Sequence, residues 1–157
     1  MRVTGILLAA GSSRRFGSNK LLAPMADGAP LAAAAAGRLI AAVPESIAVV
    51  RPGDSALAAL LAGKGLRVVE CAAAQWGMGH SLAAGVAAAG TSDAWLIALA
   101  DMPSIKPSTI AGLVAQLRAG AALVSGWFYL RNWLLFGDAF VWNLDGPGAP
   151  TWWLQPG

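Results

Sequence analysis

The chain has 157 residues, 57% of them hydrophobic by the AVILMFWYC count and 12% charged, with a formal net charge of +3. That apolar content excludes a disordered tail, and a lone cysteine, Cys71, excludes an internal disulfide and fits a reducing, cytoplasmic setting. No window reaches the roughly 18 uninterrupted apolar residues of a membrane span, and no cationic run exceeds Arg14-Arg15, so a phosphate-bearing small molecule suits the mild basicity better than a membrane or a nucleic acid.

In chain order, Gly5 to Ala10 is a continuous apolar run that ends at Gly11-Ser12-Ser13, as a buried parallel strand does. Residues 30 to 42 read as a helix with Pro30 near its first turn and Pro44 just past its end. Ile47 to Val50 reads as a second strand. Asp54 is placed to cap a helix over 55 to 62, Gly63 and Gly65 stop it, and Leu66 to Glu70 reads as a third strand. After a loop over 72 to 77, Ser81 to Ala89 is helical and Gly90 ends it. Ala94 to Leu99 is a fourth buried strand, Pro107 to Arg118 another helix and Ala121 to Val124 a fifth strand. Strands separated by helices imply an α/β fold, a three-layer Rossmann-like arrangement whose mostly parallel sheet has helices on both faces. Ligands then bind beyond the carboxyl ends of the strands, where the loops at 11 to 20, 71 to 81 and 100 to 104 converge.

Three segments carry candidate chemistry. In the run from Leu8 to Leu22, Gly11 lets the backbone turn tightly while Arg15 and Lys20 supply cations, which together describe a phosphate-binding loop. It is neither Walker A nor Gly-x-Gly-x-x-Gly, so neither a P-loop ATPase nor a nicotinamide fold is supported; the competing reading is a basic surface loop. Asp101, in Leu99-Ala100-Asp101-Met102-Pro103, follows an apolar strand and is the best candidate for a Mg²⁺ ligand, the alternative being a turn cap. In Gln75 to Leu82, Ser81 and free backbone donors either hold an anion or a base edge, or Ser81 caps the helix. His80, without a second ligand nearby in sequence, reads as a solvated loop residue and Cys71 as a buried filler. Trp76 is a packing anchor or a stacking platform.

The run Leu8 to Pro24, then Gly77-Met78-Gly79-His80-Ser81-Leu82 with Gly85, then Leu99 to Pro103, resembles the MobA-like nucleotidyltransferases. Within that group it looks most like the molybdenum cofactor cytidylyltransferases. The likeness covers residues 3 to about 124, and the opening motif is its most specific part. It implies that the backbone of Leu8, Ala9, Ala10 and Gly11 reads the base of an NTP, with Ser81 as a further nucleotide contact. Arg15 and Lys20 would hold the phosphates and Asp101 would bind Mg²⁺. The implied reaction is attack by a terminal phosphate of molybdopterin on the α-phosphorus of CTP, with pyrophosphate released and a molybdoenzyme as an implied partner. Guanylyl transfer from GTP, sugar-phosphate nucleotidyl transfer and an inactive nucleotide-binding module are the alternatives.

The segment 126 to 157 departs from the resemblance. It holds five of the seven Trp, and Ser125-Gly126-Trp127-Phe128-Tyr129 stands where the family has a Gly-His-Pro segment. Asp145 in Leu144 to Ala149 is a faint echo of a later acidic element, and Asp138 is the other acid of this segment. The expected organisation is therefore a nucleotide-binding domain over 1–125 and an atypical segment over 126–157, of the kind that truncation or a shifted reading frame produces.

Overall fold

The structure is a computed structural model that describes residues 1–11 and 19–119. The chain divides into two compact units, Met1–Ala115 and Gln116–Gly157. Arg15, the expected strand at 121–124, the expected boundary after residue 125 and the segment with Asp138 and Asp145 lie outside the described residues.

Four parallel strands form one sheet among the described residues: β1 (Val3–Leu8), β2 (Ser46–Val50), β3 (Arg67–Glu70) and β4 (Ala94–Leu99), in the order β3-β2-β1-β4. Helices α1 (Leu31–Ala42), α2 (Ser55–Gly63) and α3 (Met78–Ala89) connect them, and a helix α4 follows over 107–119. The α/β reading of the sequence therefore holds, and the apolar runs mark the strands because β1 and β2 are buried along their whole length.

The two faces of the sheet separate by residue parity, as the alternation of strand side chains requires. Leu7 and Ala9 of the β1 segment, with Ala48 and Val50 of β2, pack with Ala32, Ala36, Leu39, Leu57 and Leu61 of α1 and α2. Ile6 and Leu8, with Ile47 and Val49, pack with Ala89 and Leu82 of α3. Leu57 and Leu61 have no exposed surface, and burial of each contributes about 1.5–3 kcal/mol.

The helix ends follow local chemistry. Pro30 takes the N-cap position of α1, with its carbonyl accepting from the Ala33 and Ala34 amides, and Pro44 follows the C-cap residue Val43. Gly65, at φ +93°, rather than Gly63, makes the left-handed turn after α2. Two expectations are corrected. Residues Ala72–Trp76 form a 3-10 helix instead of a loop, and α3 begins at Met78 rather than Ser81 because Gly77, at φ +135°, is its N-cap.

That earlier start changes the place of Ser81. Ser81, Gly85 and Ala89 are the buried residues of α3, four apart and all small, so they form the ridge on which the helix lies against the sheet. At Gly85 a Cβ would lie 2.6 Å from Ile6 Cγ2 and 3.1 Å from Val49 Cγ2. The expectation that β4 is fully buried is also corrected. Trp95 and Ile97 are each 42% exposed, because β4 ends the strand order of the described residues and the α3 cluster reaches only Leu99 on that side.

The amino edge of the sheet is tied by Arg2. Its backbone N–H donates to Asp93 Oδ2 at 2.6 Å, and its guanidinium pairs with Glu45. Hydrogen bonding to Arg2 holds the Glu45 carboxyl below the ordinary glutamate range. The contribution of the pair is thus present at neutral pH and is lost as acid protonates Glu45 through that lowered value.

Urea unfolding is expected to show Gly85→Val destabilised by about 1–3 kcal/mol through overpacking. Gly37→Ala, where a Cβ meets nothing within 4 Å, should gain about 0.5–1 kcal/mol by the helix preference for alanine over glycine. The difference in melting temperature between wild type and Glu45→Gln should shrink on acidification, being largest at neutral pH.

Candidate functional site

The strand order reverses direction at β1. The chain runs outward from β1 to β2 and β3, then returns so that β4 pairs with the other side of β1, Leu8 facing Leu99 in register. The segments that leave these two strands therefore start side by side, and in open sheets of this kind ligands bind outside the carboxyl ends at such a point. The Ala100 N–H donates to the Leu8 carbonyl at 3.1 Å and the Ala9 N–H to the Val49 carbonyl at 2.9 Å, so the ladder continues one residue beyond the strands. Of the four backbone positions expected at the base, Leu8 and Ala9 therefore each have a polar group engaged in the sheet. Ala10 is buried and Gly11, the next residue, is exposed.

Lys20 and Asp101 meet across this point. Lys20 Nζ lies 3.5 Å from Asp101 Oδ2, although the residues are 81 apart in sequence. Their side chains are 40% and 49% exposed, so both are in part accessible to water. Lys20 starts a one-turn 3-10 helix, Lys20–Leu22, whose N-cap Asn19 accepts the Leu21 N–H at 3.1 Å. Leu21 is buried in the core between α1, α2 and the sheet, which anchors the turn on its other side. Asp101 follows Ala100, itself almost fully buried, and sits in a turn where the Met102 N–H donates to the Leu99 carbonyl at 3.2 Å.

The remaining candidates separate clearly. Ser81 is 3% exposed and is neither the cap of α3 nor a solvent-facing donor, since it belongs to the packing ridge described above. Trp76 is 71% exposed and meets the His80 ring edge-on with centroids 5.7 Å apart, so it is not a packing anchor. His80 is exposed as expected, but in the first turn of α3 rather than in a loop. Cys71 is buried, with its thiol 3.6 Å from the His80 carbonyl.

Asp54 stands at the N-cap position of α2 but makes no capping hydrogen bond with its side chain. Its two carboxylate oxygens each lie 3.0 Å from Asn19 Nδ2, and Arg51 approaches Oδ2 at 3.4 Å. Sequence reasoning missed this link because the contact spans 35 residues and an Asp before a helix already has a local role to fill. An Asn immediately before Lys-Leu-Leu was the available signal, since Asn caps a single turn well.

Among the described residues no three His, Cys, Asp or Glu side chains converge as a metal cage. A single half-exposed carboxylate fits Mg²⁺ held jointly with phosphate oxygens and water, because that ion keeps several waters and takes one or two carboxylates. Among the described residues, no helix is long and apolar enough to cross a membrane.

Comparison with known proteins gives a consistent picture. The profile described as MobA-like NTP transferase domain matches residues 5–142. A curated relative, nicotine blue oxidoreductase of Paenarthrobacter nicotinovorans, is 34% identical over 119 residues, which is 75% of this chain and 58% of that protein. Among solved structures, a nucleotidyl transferase from Methanothermobacter thermautotroptrophicus aligns with a TM-score of 0.64 at 27% identity, over 73% of this chain and 57% of its own. Rv0371c from Mycobacterium tuberculosis H37Rv, in complex with manganese, aligns with a TM-score of 0.59 at 27% identity, over 73% and 59%. The chain thus spans somewhat more than half the length of these relatives.

A half-exposed ion pair adds little to stability. Lys20→Ala and Asp101→Ala are each expected to unfold in urea within about 1 kcal/mol of wild type, which would make both usable as folded variants in functional tests.

Proposed function

Since the chain belongs to the MobA-like NTP transferase domain family, we propose that it transfers a nucleoside monophosphate from an NTP, with CTP as the donor, to the terminal phosphate of molybdopterin, and that Mg²⁺ assists. The observation that carries this reading is the meeting of Lys20 and Asp101 at the point where the strand order reverses. Nucleotidyl transfer asks a protein chiefly for positioning and for cations at developing charge. The base is read by the backbone at the end of β1, Ala10 and Gly11 lying past the strand. Lys20 then turns from Asp101 to the triphosphate, where its ammonium offsets charge as the bond between the α-phosphorus and the leaving pyrophosphate breaks. Arg15 is assigned to the same phosphates. Asp101, released by Lys20, would hold the divalent cation, which when bound polarises phosphate oxygens toward attack.

The manganese complex of the mycobacterial relative supports a divalent ion at such a fold. The acceptor and the preference for CTP over GTP rest on the sequence resemblance. A second reading follows from the name of the Paenarthrobacter relative, an oxidoreductase, and would put a redox dinucleotide at the same place. The loop after β1 speaks against it, because Gly11 is not followed by the spacing of a dinucleotide fingerprint.

Isothermal titration with CTP, GTP and NADPH, each with Mg²⁺ and with EDTA, tests the proposal. Binding of CTP that is tighter than that of GTP and is lost in EDTA is expected. NADPH binding alone would replace this reading with the second. In a pyrophosphate-release assay with molybdopterin, Lys20→Ala and Asp101→Ala should each lose at least about 100-fold in kcat, by analogy with removal of a single group that stabilises transition-state charge.

A further inference from the structure

We propose that Asp54 is a positioning residue that acts through Asn19 to fix the turn carrying Lys20, an inference that rests on Lys20 serving the nucleotide site. Asn19 uses both ends of its side chain. Its Nδ2 donates to the two oxygens of Asp54 at 3.0 Å each, while its Oδ1 accepts the Leu21 N–H at 3.1 Å. An amide held at both ends has no free rotamer, so the backbone from Asn19 to Leu21 takes its orientation from the first turn of α2. A carboxylate acceptor makes these bonds charge-assisted, and Arg51 at 3.4 Å steadies the carboxylate.

The side chain of Asp54 is only 19% exposed, in contrast to the open Lys20–Asp101 pair. An Asp before a helix ordinarily accepts the amides of its own first turn, and here that bond is not made. Its carboxylate faces Asn19 instead. With Asn19 held on one side and Leu21 buried on the other, the residue between them leaves the chain in a set direction, and its Nζ reaches Asp101 from that base. Loss of the Asn19–Asp54 contact frees the turn on one side, so Lys20 has to be ordered when the nucleotide binds rather than beforehand.

The test is titration of CTP and GTP with Mg²⁺ into wild type, Asp54→Ala, Asp54→Asn, Asn19→Ala, Lys20→Ala and the double variant Asp54→Ala/Lys20→Ala. Asp54→Ala and Asn19→Ala are each expected to weaken binding roughly tenfold, the scale of a modest misplacement. Asp54→Asn, which keeps a carbonyl acceptor for Asn19, should restore most of the affinity. In the Lys20→Ala background, Asp54→Ala should cause no further loss, because the effect runs through Lys20. Amide exchange at Leu21 should quicken in Asp54→Ala and Asn19→Ala while that at Cys71, bonded to the Val50 carbonyl, is unchanged. Equal fractional losses with and without Lys20 would make Asp54 merely structural and overturn the proposal. So would wild-type affinity in Asn19→Ala and Asp54→Asn together with unchanged Leu21 exchange in Asn19→Ala, and these two variants decide the matter if Asp54→Ala does not fold. Failure of the wild-type chain to bind either nucleotide would instead overturn the nucleotidyltransferase reading and this inference with it.

Discussion

The parallel pairing of β1 with β4 is the contact on which the rest of the site depends. It joins segments far apart in the first unit, Leu8 with Leu99, so that the chain leaves both strands from neighbouring positions. Without that pairing Lys20 and Asp101 are distant points on a chain. With it they are neighbours at 3.5 Å, and the continuation of the ladder from the Ala100 N–H to the Leu8 carbonyl fixes their starting points to within one hydrogen bond. The pairing is held by burial rather than by charge, since β1 has no exposed residue and the two helical layers close on it from both sides.

The polar groups at the carboxyl edge are graded by exposure. The Asp54 side chain is 19% exposed, whereas those of Lys20 and Asp101 are 40% and 49% exposed. A partly shielded acceptor with several partners holds geometry, and a half-exposed ion pair exchanges partners at little cost because water screens both states. The edge thus combines a rigid support with a responsive pair. The amino edge carries its own ion pair, Arg2 with Glu45, but no loop between described elements brings the Lys20 or Asp101 segments there.

Much of this was legible from the amino acids alone. The strands at 3–8, 46–50 and 94–99 declare themselves as short apolar runs, and the helix at 31–42 is bracketed by prolines. Lys20 and Asp101 were legible as candidates because each follows a strand that has to end at the ligand edge. The start of α3 was misread because Gly77 caps by conformation rather than by a side chain, which left Ser81 looking like the first polar signal. Ser81 lies instead inside the helix, on its buried face. The Asn19–Asp54 bond could not be read at all, since it depends on where β1 and α2 come to lie in three dimensions. The exposure of Trp95 and Ile97 escaped for a related reason, as hydrophobicity marks a strand but not its place in the sheet order.

The glycine at the middle of the α3 ridge has a consequence for how such a sequence can drift. Helix and sheet touch at Gly85 with no room for a methyl group, and the atoms that close the gap belong to Ile6 and Val49. These three positions form one volume divided among three side chains. A larger residue at 85 becomes tolerable only when 6 or 49 shrinks, so substitutions there should arrive in compensating sets across a family. Co-variation among three buried positions remote from Lys20 and Asp101 would then be a signature of the interlayer spacing alone.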